Sequence, residues 1–108
     1  MLVLLDQGTP VLVARYLPHH TVRTASQQGW ATLGNGEVLA VAETDGFDVF
    51  VTTDKNLRYQ QNLSARRIAI VVEMHAQWPG LEPYVDLVAA AVDNAKPGSY
   101  AEVEIPGT

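Results

Sequence analysis

Residues 47–54 read Phe-Asp-Val-Phe-Val-Thr-Thr-Asp, a run of β-branched and aromatic residues that closes on an acid. That composition fits a pleated, buried strand better than a helix. The chain opens on the same design: Leu2-Val3-Leu4-Leu5 is uninterrupted apolar sequence, and Asp6 ends it. Continuous apolar runs, as opposed to alternating ones, mark strands covered on both faces, the condition of a parallel sheet between helices. Ile68 to Val72 is a third run of this type.

The segments between these runs supply the helices. Thr9-Pro10 predicts an N-cap followed by proline at the first helical position, with Val11, Leu12 and Ala14 on an apolar side and Pro18 as the stop. His20 to Thr24 predicts a short second strand, and residues 25–34 form an irregular stretch around Trp30. Asn35-Gly36-Glu37 opens a helix with Asn35 as its natural N-cap, and Thr44-Asp45-Gly46 closes it. Asp54 caps a further helix running to about Asn62. Trp78-Pro79 leads through a loop into a helix from about Leu81 to Asn94, and Tyr100 to Ile105 alternates as an edge strand. Strands and helices thus alternate along the whole of residues 1–108. The expectation is one α/β domain: a mostly parallel sheet of four to five strands flanked by helices.

Composition narrows the function classes. A chain of 108 residues holds one core, and its apolar fraction of 47% is that of a globular protein. It has no cysteine, which excludes disulfides and thiolate metal sites. The first apolar run is too short for a signal peptide or membrane span, so a soluble, cytoplasmic protein is expected. A net charge of −5 argues against strong, non-specific binding to nucleic acid. The charge is uneven, however: Lys55, Arg58, Arg66 and Arg67 fall in a stretch with no acid, between two acidic flanks. That stretch is either a phosphate-facing edge or a solvated helix face.

Ligands of open parallel sheets bind beyond the carboxyl ends of the strands. Two buried-type strands here end in acids, Asp6 and Asp54, and if neighbours they share one rim. Asp54 equally suits the N-cap of the helix that follows it. Asp6 has less of a structural alternative, because Thr9 already supplies the cap of the first helix. Glu37 stands in the first turn of its own helix, where an acid also suits the helix dipole. Gathered carboxylates repel by about 3 kcal/mol per pair at 5 Å and a dielectric of about 20. A hard cation such as Mg²⁺ or Mn²⁺ removes that penalty and can activate water against a phosphodiester. The three histidines, His19, His20 and His75, have no metal-ligand spacing and read as surface or turn residues.

The blocks LLDQGTP (4–10), NGEVLAVAE (35–43) and VFVTTDKNL (49–57) together resemble short PIN-like proteins related to the VapC-type toxins. The similarity spans roughly residues 2–73, and the spacing of all three blocks agrees. The resemblance implies a PIN-like three-layer α/β/α fold with acids at its carboxyl rim, bound Mg²⁺ or Mn²⁺, ribonuclease activity on RNA and pairing with a small antitoxin. Asp6 matches the first motif acid and Asp54 the third. Gln7 and Asn56 stand where the family has acids, Leu57 replaces a phenylalanine, and Asn35 replaces the aspartate that opens the middle helix. Glu37, two residues further on, is the candidate replacement ligand.

The expected function is a divalent-metal-dependent ribonuclease, with Asp6, Glu37 and Asp54 on the metal and Lys55 and Arg58 approaching the substrate phosphate. The amide-rich segment from Asn56 to Leu63, with Tyr59, offers RNA contacts or an ordinary polar helix face. The first alternative is a degenerate PIN-like module that binds RNA or a protein without cleavage, motivated by Gln7 and Asn35. The second is a structural protein that forms a homodimer through Trp30, Trp78 or the strand at residues 100–105.

Overall fold

The computed structural model describes residues 1–57, 63, 65–73 and 78–105. The three buried-type runs form β1 (Leu2–Leu5), β3 (Val49–Thr52) and β4 (Ala69–Glu73), each largely or wholly shielded from solvent. With β2 (Thr21–Thr24) and β5 (Tyr100–Val103) they make one five-stranded sheet in the order β2-β1-β3-β4-β5. Every pairing is parallel. The α/β class and the parallel sheet are therefore as the apolar runs imply.

Side chains alternate between two apolar layers, as the pleat requires. Val3, Leu5, Val49, Val51, Ala69, Val71 and Val103 face one layer, covered by Val13, Leu17, Val85, Val88 and Val92. Leu4, Phe50, Ile70 and Val72 face the other, covered by Leu57 and by Val38, Leu39 and Ala42 of α1 (Asn35–Thr44). Helical cover on both faces gives three layers. The β1→β2 and β4→β5 steps run in opposite directions along the sheet, yet both carry their helical segments over the same face. Those two crossovers therefore have opposite hands, a departure from the usual uniform right-handedness.

Several local expectations are corrected. Thr9 does not cap the first helix. Its hydroxyl donates to the Val51 carbonyl at 3.3 Å, and Pro10 precedes a 3₁₀ helix over Val11–Tyr16 that has no side-chain cap. The loop expected at Trp78-Pro79 is helical, α2 (Trp78–Leu81), and the helix expected from Leu81 to Asn94 opens as a 3₁₀ turn at Glu82–Tyr84 before α3 (Val85–Asp93). Pro83 has no N–H to donate and obstructs the carbonyl four residues back, so a continuous helix is not available there. Strand β4 runs one residue past Val72 and takes in Glu73. β5 is an edge strand, as expected, but ends at Val103.

Trp30 and Trp78 are half-buried against this chain's own rings, Trp30 on Phe47 (5.8 Å between centroids) and Trp78 on Tyr16 (5.7 Å). His20 is not a free surface side chain: Nε2 lies 2.6 Å from Asp93 Oδ1, tying the start of β2 to the end of α3. His75 and the helix expected up to residue 62, beyond Leu57, lie outside the described residues. Among the described residues, no helix is long and apolar enough to cross a membrane.

Candidate functional site

Strands β1 and β3 are neighbours, with Leu5 in register with Val51 and the Asp6 N–H bonded to the Val51 carbonyl at 2.9 Å. This pairing brings the two strand-terminal acids to one rim. It is also the place where the strand order turns back, since the chain leaves β1 toward β2 on one side and returns to β3 on the other. A crevice beyond the carboxyl ends at such a reversal is where open α/β sheets bind ligands.

Thr52, fully buried, links the two acids. Its hydroxyl donates to Asp6 Oδ2 at 2.7 Å and accepts from the Asp54 N–H at 3.1 Å. Asp6 Oδ1 accepts from the Gln7 N–H at 2.8 Å. Asp54 Oδ1 accepts from the Asn56 N–H at 2.9 Å, and Oδ2 accepts from Asn35 Nδ2 at 2.7 Å. Asp54 thus closes a turn onto Asn56 while holding a place at the rim; the helix it is expected to cap lies beyond Leu57, outside the described residues. Burial pushes the Asp6 carboxyl above the usual aspartate range; the Thr52 and Gln7 hydrogen bonds oppose the shift, and the Asp54 charge adds to it.

The remaining expected residues divide. Asn35 is the first residue of α1, with Gly34 at the cap, so its amide is available to Asp54. Glu37 is exposed and turned to its own helix start, where Oε1 accepts the Gly34 N–H at 3.2 Å. Lys55 is exposed beside Asp54, and Arg58 lies outside the described residues. Gln7 accepts the Ser26 hydroxyl at 2.8 Å, which directs it toward the loop after β2. Asp6 and Asp54 are brought together, and Glu37 is engaged elsewhere. Among the described residues, no three His, Cys, Asp or Glu side chains are grouped to hold a metal ion.

Two residues escaped the sequence reading. Thr52 lies beside Asp6 only because β1 and β3 pair, which no local pattern announces. Glu73, fully buried at the carboxyl end of β4, had a visible signal. Ala69-Ile70-Val71-Val72-Glu73 repeats the apolar-run-then-acid pattern of Leu2–Asp6. It is in register with Val103, which places it on the α3 face and not on the α1 face of the rim.

The two carboxylates are chemically suited to a hard cation. Each of their four oxygens accepts one hydrogen bond and retains a further lone pair. Mg²⁺ is commonly held by one or two carboxylates, with water and substrate phosphate completing its octahedron, so a third acid is not obligatory. The loop carrying Asp6 depends on Gly8, whose φ of +93° disfavours any residue with a Cβ. A Cβ there would be 4.0 Å from Thr53 Oγ1, an ordinary contact, so Gly8→Ala carries only the backbone penalty. That is expected to be about 1–2 kcal/mol, measurable by chemical denaturation.

Comparison with protein-family models, with curated proteins and with solved structures returns no match.

Proposed function

We propose that the β1/β3 rim is a single-ion centre for Mg²⁺ or Mn²⁺, and that the protein is a PIN-like ribonuclease. The observation that carries this reading is the convergence of Asp6 and Asp54 at the reversal of the strand order, joined through Thr52. Asp6 and Asp54 hold the cation, Thr52 orients Asp6, and Asn35 orients Asp54. Lys55 lies next along the chain from Asp54, suited to a substrate phosphate. A bound divalent ion activates water and offsets charge developing on phosphorus. The test is cleavage of a mixed-sequence fluorogenic RNA by metal-stripped protein, with and without added Mn²⁺ or Mg²⁺. Metal-dependent cleavage supports the reading. Its absence with both ions rejects it.

A second reading, a degenerate module that binds without cutting, is favoured by one contact: the Asn35 amide sits on Asp54 Oδ2 where the resemblance implies an acid. Asn35→Asp separates the two. If the wild-type centre works, the variant binds Mn²⁺ about tenfold tighter, melts lower without metal because carboxylates repel, and recovers with it. Calorimetric titration and thermal melts read both effects. If the module is degenerate, the wild type neither binds Mn²⁺ nor cleaves, and the variant gains binding.

A further inference from the structure

The opposite rim, at the amino ends of β1, β3 and β4, carries a cavity of about 340 Å³. That is within the size range of sites for small organic molecules. Phe47, Ile68, Ala95 and Pro97 give it an apolar wall. Glu43, Asp48, Arg67 and Lys96 also line it, and their existing partners decide which charge it favours.

Glu43 is already committed, accepting from Arg66 Nη1 at 2.8 Å and from the N–H groups of Arg67 and Ile68 at 2.7 and 3.2 Å. Asp48 Oδ2 accepts the Leu2 N–H at 2.8 Å. The side chains of Arg67 and Lys96, by contrast, make no hydrogen bond or ion pair among the described residues. With Glu43 neutralised by Arg66, two uncommitted cations face one remaining acid. Counting Arg66, which pairs with Glu43 from outside the lining, the cavity carries one positive charge in excess over its apolar wall. Two cationic donors suit a dianionic phosphate, the guanidinium by its paired N–H groups and the ammonium as a point charge.

We propose that this amino-rim cavity binds a small aromatic phosphate monoester, its ring against Phe47, Ile68 and Pro97 and its phosphate on Arg67 and Lys96. The site is independent of the carboxyl-rim centre and stands whether or not that centre cleaves RNA.

The test is titration of the ¹⁵N-labelled full chain, free of divalent ions, with phenyl phosphate. Without a cation, the Asp6–Asp54 rim repels this probe. Saturating amide shifts are expected at Gly46, Arg67, Ile68 and Lys96. Arg67→Gln and Lys96→Gln, both changes of exposed side chains, are each expected to weaken binding about tenfold, the worth of one charge-assisted contact. Inorganic phosphate, which lacks the ring, is expected to bind about tenfold more weakly than phenyl phosphate. Shifts that do not saturate, shifts centred on Asp6 and Asp54, or unchanged affinity in both Arg67→Gln and Lys96→Gln would overturn the proposal. Equal affinity for the two phosphates would overturn the assignment of the apolar wall.

Discussion

Asp6→Asn is expected to lose metal-dependent RNA cleavage by at least about two orders of magnitude while melting at a higher temperature than the wild type at pH 7. If the rim is the cation centre proposed above, the loss follows from removing a charged ligand; even residues that merely support a ligand are worth about 10–100-fold. The gain in stability has a separate cause. Burial and the Asp54 charge raise the Asp6 carboxyl above its ordinary value of 3.8, despite the Thr52 and Gln7 hydrogen bonds. Ionising it therefore costs more in the folded chain than in the unfolded one. That destabilisation is absent below the unfolded pKa, develops as pH rises, and is complete above the raised folded pKa. Asparagine removes that charge-dependent cost, so the variant melts higher where the wild-type carboxyl is ionised. Melts across pH provide the check: the variant should lead at pH 7 and the lead should vanish near pH 3. A variant that is less stable at pH 7 would place the site's strain elsewhere.

Glu43→Ala is expected to act in the opposite sense, on stability alone. Glu43, near the end of α1, fixes the segment entering β4 through Arg66 and the N–H groups of Arg67 and Ile68. Both partners of the ion pair are largely shielded, with side chains 20% and 24% exposed for Glu43 and Arg66. Removing the acceptor leaves three donors to find water, and the Ile68 N–H belongs to a buried residue. The expected loss is about 2 kcal/mol, about 8 °C in Tm. Burial pushes the Glu43 carboxyl up, but the Arg66 and backbone hydrogen bonds and the Arg66 charge outweigh it and hold it below the usual 4.5. A depressed pKa gives stability that is present above the unfolded value and lost as pH falls through the folded one. The gap between wild type and variant should accordingly narrow as pH falls from the usual 4.5 through the lowered folded value. Since Glu43 lies on the amino rim, the folded variant should match the wild type in the RNA-cleavage assay proposed above at low temperature.

These two variants separate what the chain spends on folding from what it holds at the rim, and the same division governs how much was legible in the sequence. Leu2–Leu5, Val49–Thr52 and Ala69–Glu73 were readable as strands because a run apolar on both faces has few other uses. Asp6 and Asp54 were readable as rim residues for the same reason. Their adjacency was not, because it depends on which strands pair, a long-range choice that no local pattern encodes. Thr52 became visible only with that pairing. Asn35 looked like a cap because asparagine favours that position, yet Gly34 takes the cap and frees the amide for Asp54. Glu37 looked like a ligand by spacing, but the Gly34 N–H, unpaired within the helix, competes for it from three residues away. The same competition separates Thr9 from its expected cap, in favour of the Val51 carbonyl.

The most direct measurement is paramagnetic broadening of amide signals by substoichiometric Mn²⁺, which locates the ion without reference to any reaction. A single-ion centre on Asp6 and Asp54 predicts that Gln7, Thr53, Asp54 and Asn35 broaden first, and that Asp54→Asn abolishes the effect. Broadening that begins at other acids, or spreads evenly while Gln7 and Asp54 stay sharp, would contradict the assignment of the β1/β3 rim as the cation site.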